Sequence, residues 1–186
     1  MVKRLDAQGA RVLFIDDLSV GTHPDTWLGQ RLRFQHKDLS IYGEDERLLF
    51  LQADLRDVLR ELNKDPQWFR KTYGQDLVQF DDIFHFAAIV GGRSKIDGDP
   101  MLVAQDLSID AEMFLYVCRN KPRRFLYPSS SAAYPIDLQT ESNTLQLKES
   151  DIDFKKMGEP DMTYGWSKLT GEYLAKIAAS HYGVHV

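Results

Sequence analysis

Short apolar runs recur along the chain, separated by longer stretches in which apolar residues are spaced differently. Four of these runs show no alternation of apolar and polar residues: residues 11–16, 47–52, 82–88 and 123–128. Runs of this kind are typical of strands that are buried on both faces, as in a parallel sheet. The sequence therefore predicts four such strands.

Three longer segments carry apolar residues at intervals of three and four positions: residues 55–73, 100–120 and 164–182. This spacing is typical of amphipathic helices. Strands that alternate with helices predict βα repeats. The expected fold class is therefore α/β, with a doubly wound parallel sheet.

Both ends of the sequence predict interrupted elements. Residues 1–8 have the pattern of the last turns of a helix, and Gly9 is placed to end it. Residues 183–186 follow a predicted helix and resemble the start of a strand. We therefore expect the chain to begin and end inside a fold, with the polar segment 136–159 as a loop or insertion.

Composition and charge narrow the class of protein. The 186 residues are 43% hydrophobic, which is enough for one domain with a packed core. Acidic and basic residues are interspersed without a basic block, so a nucleic-acid partner is not expected. No apolar run approaches the roughly 20 residues that span a bilayer, so no membrane partner is expected. A single cysteine, Cys118, fits a reducing compartment, which predicts a cytoplasmic protein.

The clearest chemical signal is the sequence YGWSK at residues 164–168. Tyr164 and Lys168 are four positions apart, so on a helix they project from one face, one turn apart. We expect the lysine cation to favour the phenolate and to lower the pKa of Tyr164 from its ordinary value of about 10. A phenol tuned in this way is a general base for a sugar or alcohol hydroxyl. The alternative is an ordinary amphipathic helix that contains the pair by chance.

A predicted strand that ends in three hydroxyls precedes this helix. Ser129, Ser130 and Ser131 follow the run 123–128, at the carboxyl edge of the sheet where ligands bind in open α/β folds. A serine-rich turn that caps a helix or strand is the alternative interpretation. That alternative does not explain why Tyr-x-x-x-Lys follows on the next helix.

Acidic residues end the first two predicted strands. Asp16 and Asp17 close the first strand, where a carboxylate accepts hydrogen bonds from both ribose hydroxyls of an adenosine and repels a 2′-phosphate. An Asx turn or a helix N-cap uses the same residue type and is the alternative. Asp54 follows the second strand and is predicted to lie near an adenine amino group.

The third predicted strand leads into small residues, with the sequence FAAIVGG at residues 86–92. Small side chains allow a flat ligand to approach the backbone closely. We interpret His85, within this run, as a packed core residue rather than a ligand. The single cysteine and five histidines have no metal-binding spacing, so no metal site is predicted.

Five motifs stand in an order that resembles the NAD-dependent epimerase/dehydratase family of the extended short-chain dehydrogenase/reductase superfamily: Asp16, ADLRD at 53–57, FHFAAIVGG at 84–92, LYPSSSAAYP at 126–135 and YGWSK at 164–168. The resemblance covers nearly the whole chain. It implies a Rossmann sheet, NAD as cofactor, a nucleotide-sugar substrate, catalysis by hydride transfer and a homodimer in the intact family form.

The resemblance also implies roles for single positions. Tyr164 matches the family's base, and Lys168 matches its partner, which also contacts the nicotinamide ribose. Ser130 matches the active-site Ser or Thr, with Ser131 as the alternative. The implied cofactor-binding residues are Asp16, Asp17, Asp54, Leu55, Ala87, Ala88, Val90, Tyr164 and Lys168. The implied substrate-binding residues are Ser130, Ser131, Gly91 and Gly92.

Three departures from the family pattern limit what the resemblance implies. Residues 130–132 read SSA where the dehydratases have Thr-Asp-Glu, so 4,6-dehydration is not expected. Asp106 stands where the family usually has Asn. The glycine-rich turn and the first strand are absent from the sequence. Residues 1–186 are therefore expected to be a partial NAD-binding Rossmann domain without most of the substrate-binding part.

These observations lead to one main hypothesis and two alternatives. The main hypothesis is an NAD-dependent nucleotide-sugar epimerase-like oxidoreductase. A decarboxylase or reductase of the same family, or a non-catalytic nucleotide-binding or interaction fragment, remains open. We expect this chain alone to bind NAD weakly, because the glycine-rich turn would anchor the pyrophosphate. The absent strand should also leave the strands ending at Asp16 and Ala88 as sheet edges.

Overall fold

The computed structural model describes residues 1–77, 79–89, 98–139 and 146–186. The chain forms two compact units, an N-terminal unit of residues 1–77 and a C-terminal unit of residues 78–186. Each unit contains strands and helices with at least one parallel strand pair. The predicted α/β class is therefore confirmed, with its strands distributed over two sheets.

The N-terminal unit contains one four-stranded sheet. Its elements are α1 (Val2–Ala7), β1 (Val12–Asp16), β2 (Leu32–His36), β3 (Leu39–Tyr42), β4 (Leu48–Gln52), α2 (Leu55–Lys64) and α3 (Trp68–Tyr73). The strand order is β1-β4-β3-β2, with β1 parallel to β4 and the other pairs antiparallel. The register places Asp16 opposite Gln52, so the carboxyl ends of β1 and β4 lie side by side.

The core of this unit forms around β3 and β4. A buried cluster consists of Leu28, Tyr42, Leu48 and Phe50, and the ring of Phe14 stacks on that of Phe50 with centroids 5.1 Å apart. Burying side chains of this size contributes about 1.5–3 kcal/mol each. The apolar runs 11–16 and 47–52, in which apolar and polar residues do not alternate, therefore form the predicted strands, β1 and β4.

Two features of this unit differ from the sequence prediction. The hairpin of β2 and β3 was not predicted; its turn passes through Lys37, which has a positive φ of 52°. The predicted helix 55–73 is two helices, because α2 ends at Asp65, whose backbone is extended before Pro66. A residue that precedes proline is biased away from the helical region, which explains the break.

The C-terminal unit contains β5 (Asp82–Phe84), α4 (Leu102–Asn120), β6 (Arg124–Leu126) and α5 (Met162–Tyr182). β5 and β6 are parallel, and α4 packs against α5. The Phe125 N–H donates to the His185 carbonyl (2.8 Å), so the residues after α5 run beside β6. Residues 183–186 form no strand of their own in the structure, so the prediction that they begin one stays a prediction. Within the described ranges, neither α4 nor α5, nor any other helix, is apolar enough over its length to cross a membrane.

β1 and β5 both lie at sheet edges. As far as the described residues show, β1 pairs only with β4, and β5 pairs only with β6. Their side chains are half-buried, whereas those of β3 and most of β4 are buried. The expected pair of strand edges is therefore present.

Candidate active site

The start of α5 is held against the loop that follows β6. The Asp161 N–H donates to the Ala132 carbonyl (2.9 Å), and the backbone of Gly165 approaches the same carbonyl so closely that a Cβ would overlap it. Only glycine permits this approach without a shift of the backbone. The first turn of α5, which carries Tyr164, is thereby seated beside the serine-containing turn.

Lys168 is buried, with 6% of its surface exposed, and lies between two aromatic rings. Its Nζ is 5.0 Å from the ring centroid of Tyr127 and 5.6 Å from that of Tyr164. A cation at these distances is attracted to the face of each ring. The structure thus brings Tyr164 and Lys168 together on one face of α5, one turn apart, as their spacing predicts.

The predicted lowering of the Tyr164 pKa is wrong. Burial raises the pKa of Tyr164 above its ordinary value, and the negative charges of Asp106 and Asp110 raise it further. Both effects disfavour the phenolate. In the described structure, Tyr164 is therefore a protonated phenol at neutral pH.

The serine turn supplies hydroxyls at the end of β6. Ser130 precedes the 3₁₀ turn Ser131–Ala133, is half-buried, and its Oγ accepts a hydrogen bond from the Ala132 N–H (3.2 Å). Ser131 is exposed, as is Ser129, whose hydroxyl donates to Glu172. The capping contact of the alternative interpretation is present, but a hydroxyl that accepts one bond keeps its own proton to donate.

A buried polar network lies beneath the Tyr164–Lys168 pair, and the sequence analysis missed it. His85 Nε2 lies 2.9 Å from Asp110 Oδ1, and the Tyr127 hydroxyl donates to Asp110 Oδ2 (2.8 Å). Gly171 of α5 leaves room for this tyrosine, because a Cβ there would overlap its hydroxyl. The network therefore joins β5, α4, β6 and α5. His85 is buried, as predicted.

Asp106 lies one turn before Asp110 on α4 and is also buried. Its Oδ1 accepts a hydrogen bond from the Ile89 N–H (2.6 Å), and burial is the main cause that raises its pKa. A small cavity of about 10 Å³ is lined by Ile89, Leu102, Val103, Asp106, Thr163 and Tyr164. Asp106 and Tyr164 therefore face the same space.

The remaining candidates of this unit follow β5. Ala87 and Ala88 are half-buried, and Phe86 before them is exposed. That a flat ligand approaches the backbone at these small residues stays a prediction. The other residues predicted on this segment, Val90, Gly91 and Gly92, lie outside the described residues.

In the N-terminal unit, Asp16 and Asp17 lie at and just beyond the end of β1, and both are exposed. Asp16 Oδ1 accepts from the Leu18 N–H (2.8 Å), and Asp17 Oδ1 accepts from the Ser19 N–H (2.9 Å). The Asx turns of the alternative interpretation are therefore present. A carboxylate accepts about four hydrogen bonds, so the exposed Asp16 retains capacity for ribose hydroxyls.

Asp54 caps α2 and is held by Arg56. Its Oδ1 accepts from the Arg56 N–H (2.8 Å) and from Arg56 Nε (3.0 Å), and these bonds lower the pKa of Asp54. Leu55 is the first residue of the helix and is half-buried. The charge of Asp17 also raises the Arg56 pKa, so a guanidinium stands near the strand-end acids. The sequence analysis did not anticipate that guanidinium.

Each unit, taken by itself, holds residue types that fit one part of NAD. In the N-terminal unit an exposed carboxylate at a strand end suits an adenosine ribose, and in the C-terminal unit the buried ammonium of Lys168 is a donor that suits ribose hydroxyls. Among the described residues, no group of three or more His, Cys, Asp or Glu side chains is arranged to hold a metal ion.

Comparison with known proteins identifies the family of the chain. The model of the NAD dependent epimerase/dehydratase family matches residues 1–186. GDP-mannose 3,5-epimerase of Arabidopsis thaliana is 31% identical over 105 residues, which are 56% of this chain and 27% of that protein. GDP-mannose 3,5-epimerase 1 of Oryza sativa subsp. indica is 33% identical over the same shares of the two chains. The match spans about a quarter of these relatives.

Solved structures share the fold. UDP-glucose 4-epimerase of Thermotoga maritima, solved with UDP-glucose, has a TM-score of 0.65 at 16% identity and matches 98% of this chain and 48% of that chain. UDP-glucose 4-epimerase of Thermus thermophilus, solved with NAD, also has a TM-score of 0.65, at 18% identity, and 47% of that chain is covered. The predicted Rossmann-type fold is confirmed by these likenesses, and the chain belongs to the NAD dependent epimerase/dehydratase family of enzymes.

Proposed function

We propose that the chain carries the catalytic residues of an NAD-dependent nucleotide-sugar epimerase-like oxidoreductase. One observation carries the proposal: Tyr164 and Lys168 are in contact on the helix that packs on the Ser130 turn, within a chain that the family model matches from end to end. A phenol, an ammonium and a hydroxyl in one place suit proton removal from a sugar hydroxyl.

In the proposed mechanism, Tyr164 reacts as the phenolate, after its own proton has passed to solvent. It removes the proton from a sugar hydroxyl, and Ser130 holds the same oxygen by a hydrogen bond. Lys168 stabilises this phenolate before it takes up the sugar proton, because its ammonium lies over the tyrosine ring. NAD, when bound, supplies the hydride acceptor. Tyr164 returns the proton in the reverse step, so one residue serves both the oxidation and the reduction that epimerisation requires.

We further propose that residues 1–186 are part of an NAD-binding domain. Asp16 and Asp17 would bind the adenosine ribose, Asp54 and Leu55 would lie near the adenine, and Ala87 and Ala88 would line the cofactor. Carboxylates at the end of β1 favour NAD over NADP, because they repel a 2′-phosphate. Val90 is also proposed to bind the cofactor.

The partners that we propose rest on the names of the similar enzymes and on the exposed apolar side chains of the chain. Nucleotide sugars are the proposed substrates, because the similar enzymes are named for GDP-mannose and UDP-glucose, with Ser130, Ser131, Gly91 and Gly92 as the residues that would bind them. Exposed apolar side chains on α4 and α5, including Leu115 and Tyr173, favour a homodimer. We place the protein in the cytoplasm, without nucleic acid or membrane as partner.

Cofactor titration tests the proposal. Calorimetry would compare this chain with a version that carries an added first strand and glycine-rich turn, and NMR would follow nucleotide sugars incubated with each. We expect tight NAD binding and sugar conversion only in the extended version. Conversion should be lost in its Tyr164→Phe variant and kept in Tyr173→Phe, an exposed tyrosine of the same helix. An extended version that folds but binds no NAD would favour the interaction-fragment alternative instead.

A further inference from the structure

Helices α4 and α5 each present a pair of ionisable residues one turn apart. α4 carries Asp106 and Asp110, which are 4% and 3% exposed, and α5 carries Tyr164 and Lys168. The two helices pack against each other. Two carboxylates are buried in this contact although the mechanism uses neither of them.

Hydrogen bonds hold both carboxylates as acceptors. Asp110 is bonded through one oxygen to His85 Nε2 (2.9 Å) and through the other to the Tyr127 hydroxyl (2.8 Å). Asp106 accepts from the Ile89 N–H (2.6 Å). Donors aimed at a carboxylate favour its charged form. The pKa of Asp106 is nevertheless raised, because its burial opposes the charged form more than this bond favours it.

Asp106 also shares a space with Tyr164. Both line the cavity of about 10 Å³, which has room for about one water molecule. Among the described residues, the charged and titratable groups around Tyr164 are Asp106 and Asp110 of α4, Tyr127 after β6, and Lys168 of its own helix. His85, after β5, acts on this set through Asp110.

We propose that Asp106, with Asp110 one turn away on the same helix, is a positioning residue whose negative charge across the shared cavity disfavours the Tyr164 phenolate, in opposition to Lys168. Two negative charges disfavour a third one nearby, so removal of either must ease the loss of the phenolic proton. The inference adds a residue that acts on the proposed base, and it rests on the proposed function for its meaning. The titration itself needs neither cofactor nor substrate.

The test is an NMR titration of the chain with ¹³Cζ-labelled tyrosine, in which the Tyr164→Phe variant assigns the Tyr164 signal. We expect the Tyr164 midpoint to lie above 10 in the unaltered chain and to fall by about one pH unit in Asp106→Asn, and by less in Asp110→Asn. Asp106→Glu, which keeps the charge, should restore the original midpoint. The control Asp57→Asn removes an exposed carboxylate on α2 and should change nothing.

The outcomes separate this inference from the proposed function. A midpoint at or below 10 in the unaltered chain contradicts the inference even when the variants do not fold. An unchanged Tyr164 midpoint in a folded Asp106→Asn protein also contradicts the inference. The expected titration combined with no conversion of nucleotide sugars by the extended version contradicts the proposed function alone.

Discussion

The candidate acidic residues of the two units, Asp16 and Asp54 in one and Asp106 and Asp110 in the other, form their hydrogen bonds in opposite ways. In the N-terminal unit, Asp16 and Asp54 lie at exposed or half-exposed strand ends and bond to groups two residues away along the chain. In the C-terminal unit, Asp106 and Asp110 are buried and bond to groups 17 to 25 residues away. Aspartate side chains thus fix the local conformation of the chain in the N-terminal unit, and they connect strands with helices in the C-terminal unit.

This difference in burial suits the exposed carboxylates to ligand binding and the buried carboxylates to a role in catalysis. An exposed carboxylate keeps lone pairs for a ligand and contributes little to stability. A buried carboxylate contributes to stability through its partners, and its field acts strongly on neighbouring ionisable groups because water does not screen it. We therefore expect substitutions of the exposed N-terminal acids to change ligand affinity, and substitutions of the buried C-terminal acids to change stability and turnover.

The largest expected effect concerns Tyr164. In a version that converts substrate, Tyr164→Phe should reduce turnover by about 10²–10⁴-fold, because the proton acceptor is lost. NAD affinity should be nearly unchanged, whereas Lys168→Ala should lower both quantities. Steady-state kinetics and calorimetry provide the two readouts. Full activity of the Tyr164→Phe protein would place the chemistry elsewhere.

The next effect is on stability. Asp110→Ala leaves the Tyr127 hydroxyl and His85 buried without their acceptor, so the free energy of unfolding should fall by about 2–4 kcal/mol. Urea denaturation measures this change. The double variant Asp110→Ala/Tyr127→Phe should recover part of the loss, because one orphaned donor is removed. A loss below 0.5 kcal/mol, about that of a surface position, would remove the contrast between the two units.

Gly171→Ala tests the packing of the same network. A Cβ at this position overlaps the Tyr127 hydroxyl, so we expect a loss of about 1–3 kcal/mol in the free energy of unfolding. This sign is the reverse of the usual gain when alanine replaces glycine within a helix. Ser180→Ala, an exposed position of α5, is the matched control. Increased stability of the Gly171→Ala protein would mean that Tyr127 is free to move aside.

The smallest effect on stability is expected for Asp16→Ala. The free energy of unfolding should change by no more than about 0.5 kcal/mol, because the carboxylate is exposed. In a version that binds NAD, affinity for NAD should fall while affinity for NADP does not. Calorimetry with both dinucleotides measures this selectivity. Equal weakening of both would assign Asp16 to the loop alone.

The sequence predicted the features that depend on neighbouring residues. The apolar runs formed β1, β4, β5 and β6, and the Tyr164–Lys168 contact follows from helical spacing. The β2–β3 hairpin was missed because β2 is exposed and has no core-forming pattern. The predicted direction of the Tyr164 pKa was wrong because it considered only the adjacent lysine. Burial and the two aspartates act on Tyr164 through tertiary packing, which no local pattern encodes.

Two close-packed glycines of α5 fix the position of this helix along its own axis. Gly165 meets the Ala132 carbonyl and Gly171 meets the Tyr127 hydroxyl, at two points about 9 Å apart along the helix. A slip of one residue moves the helix about 1.5 Å and turns it about 100°, which would drive side chains into both contacts. These contacts therefore hold the helix in one position along its axis. Because Gly165 and Gly171 have no Cβ, the helix approaches closely enough to set the distance from Tyr164 to the serine turn.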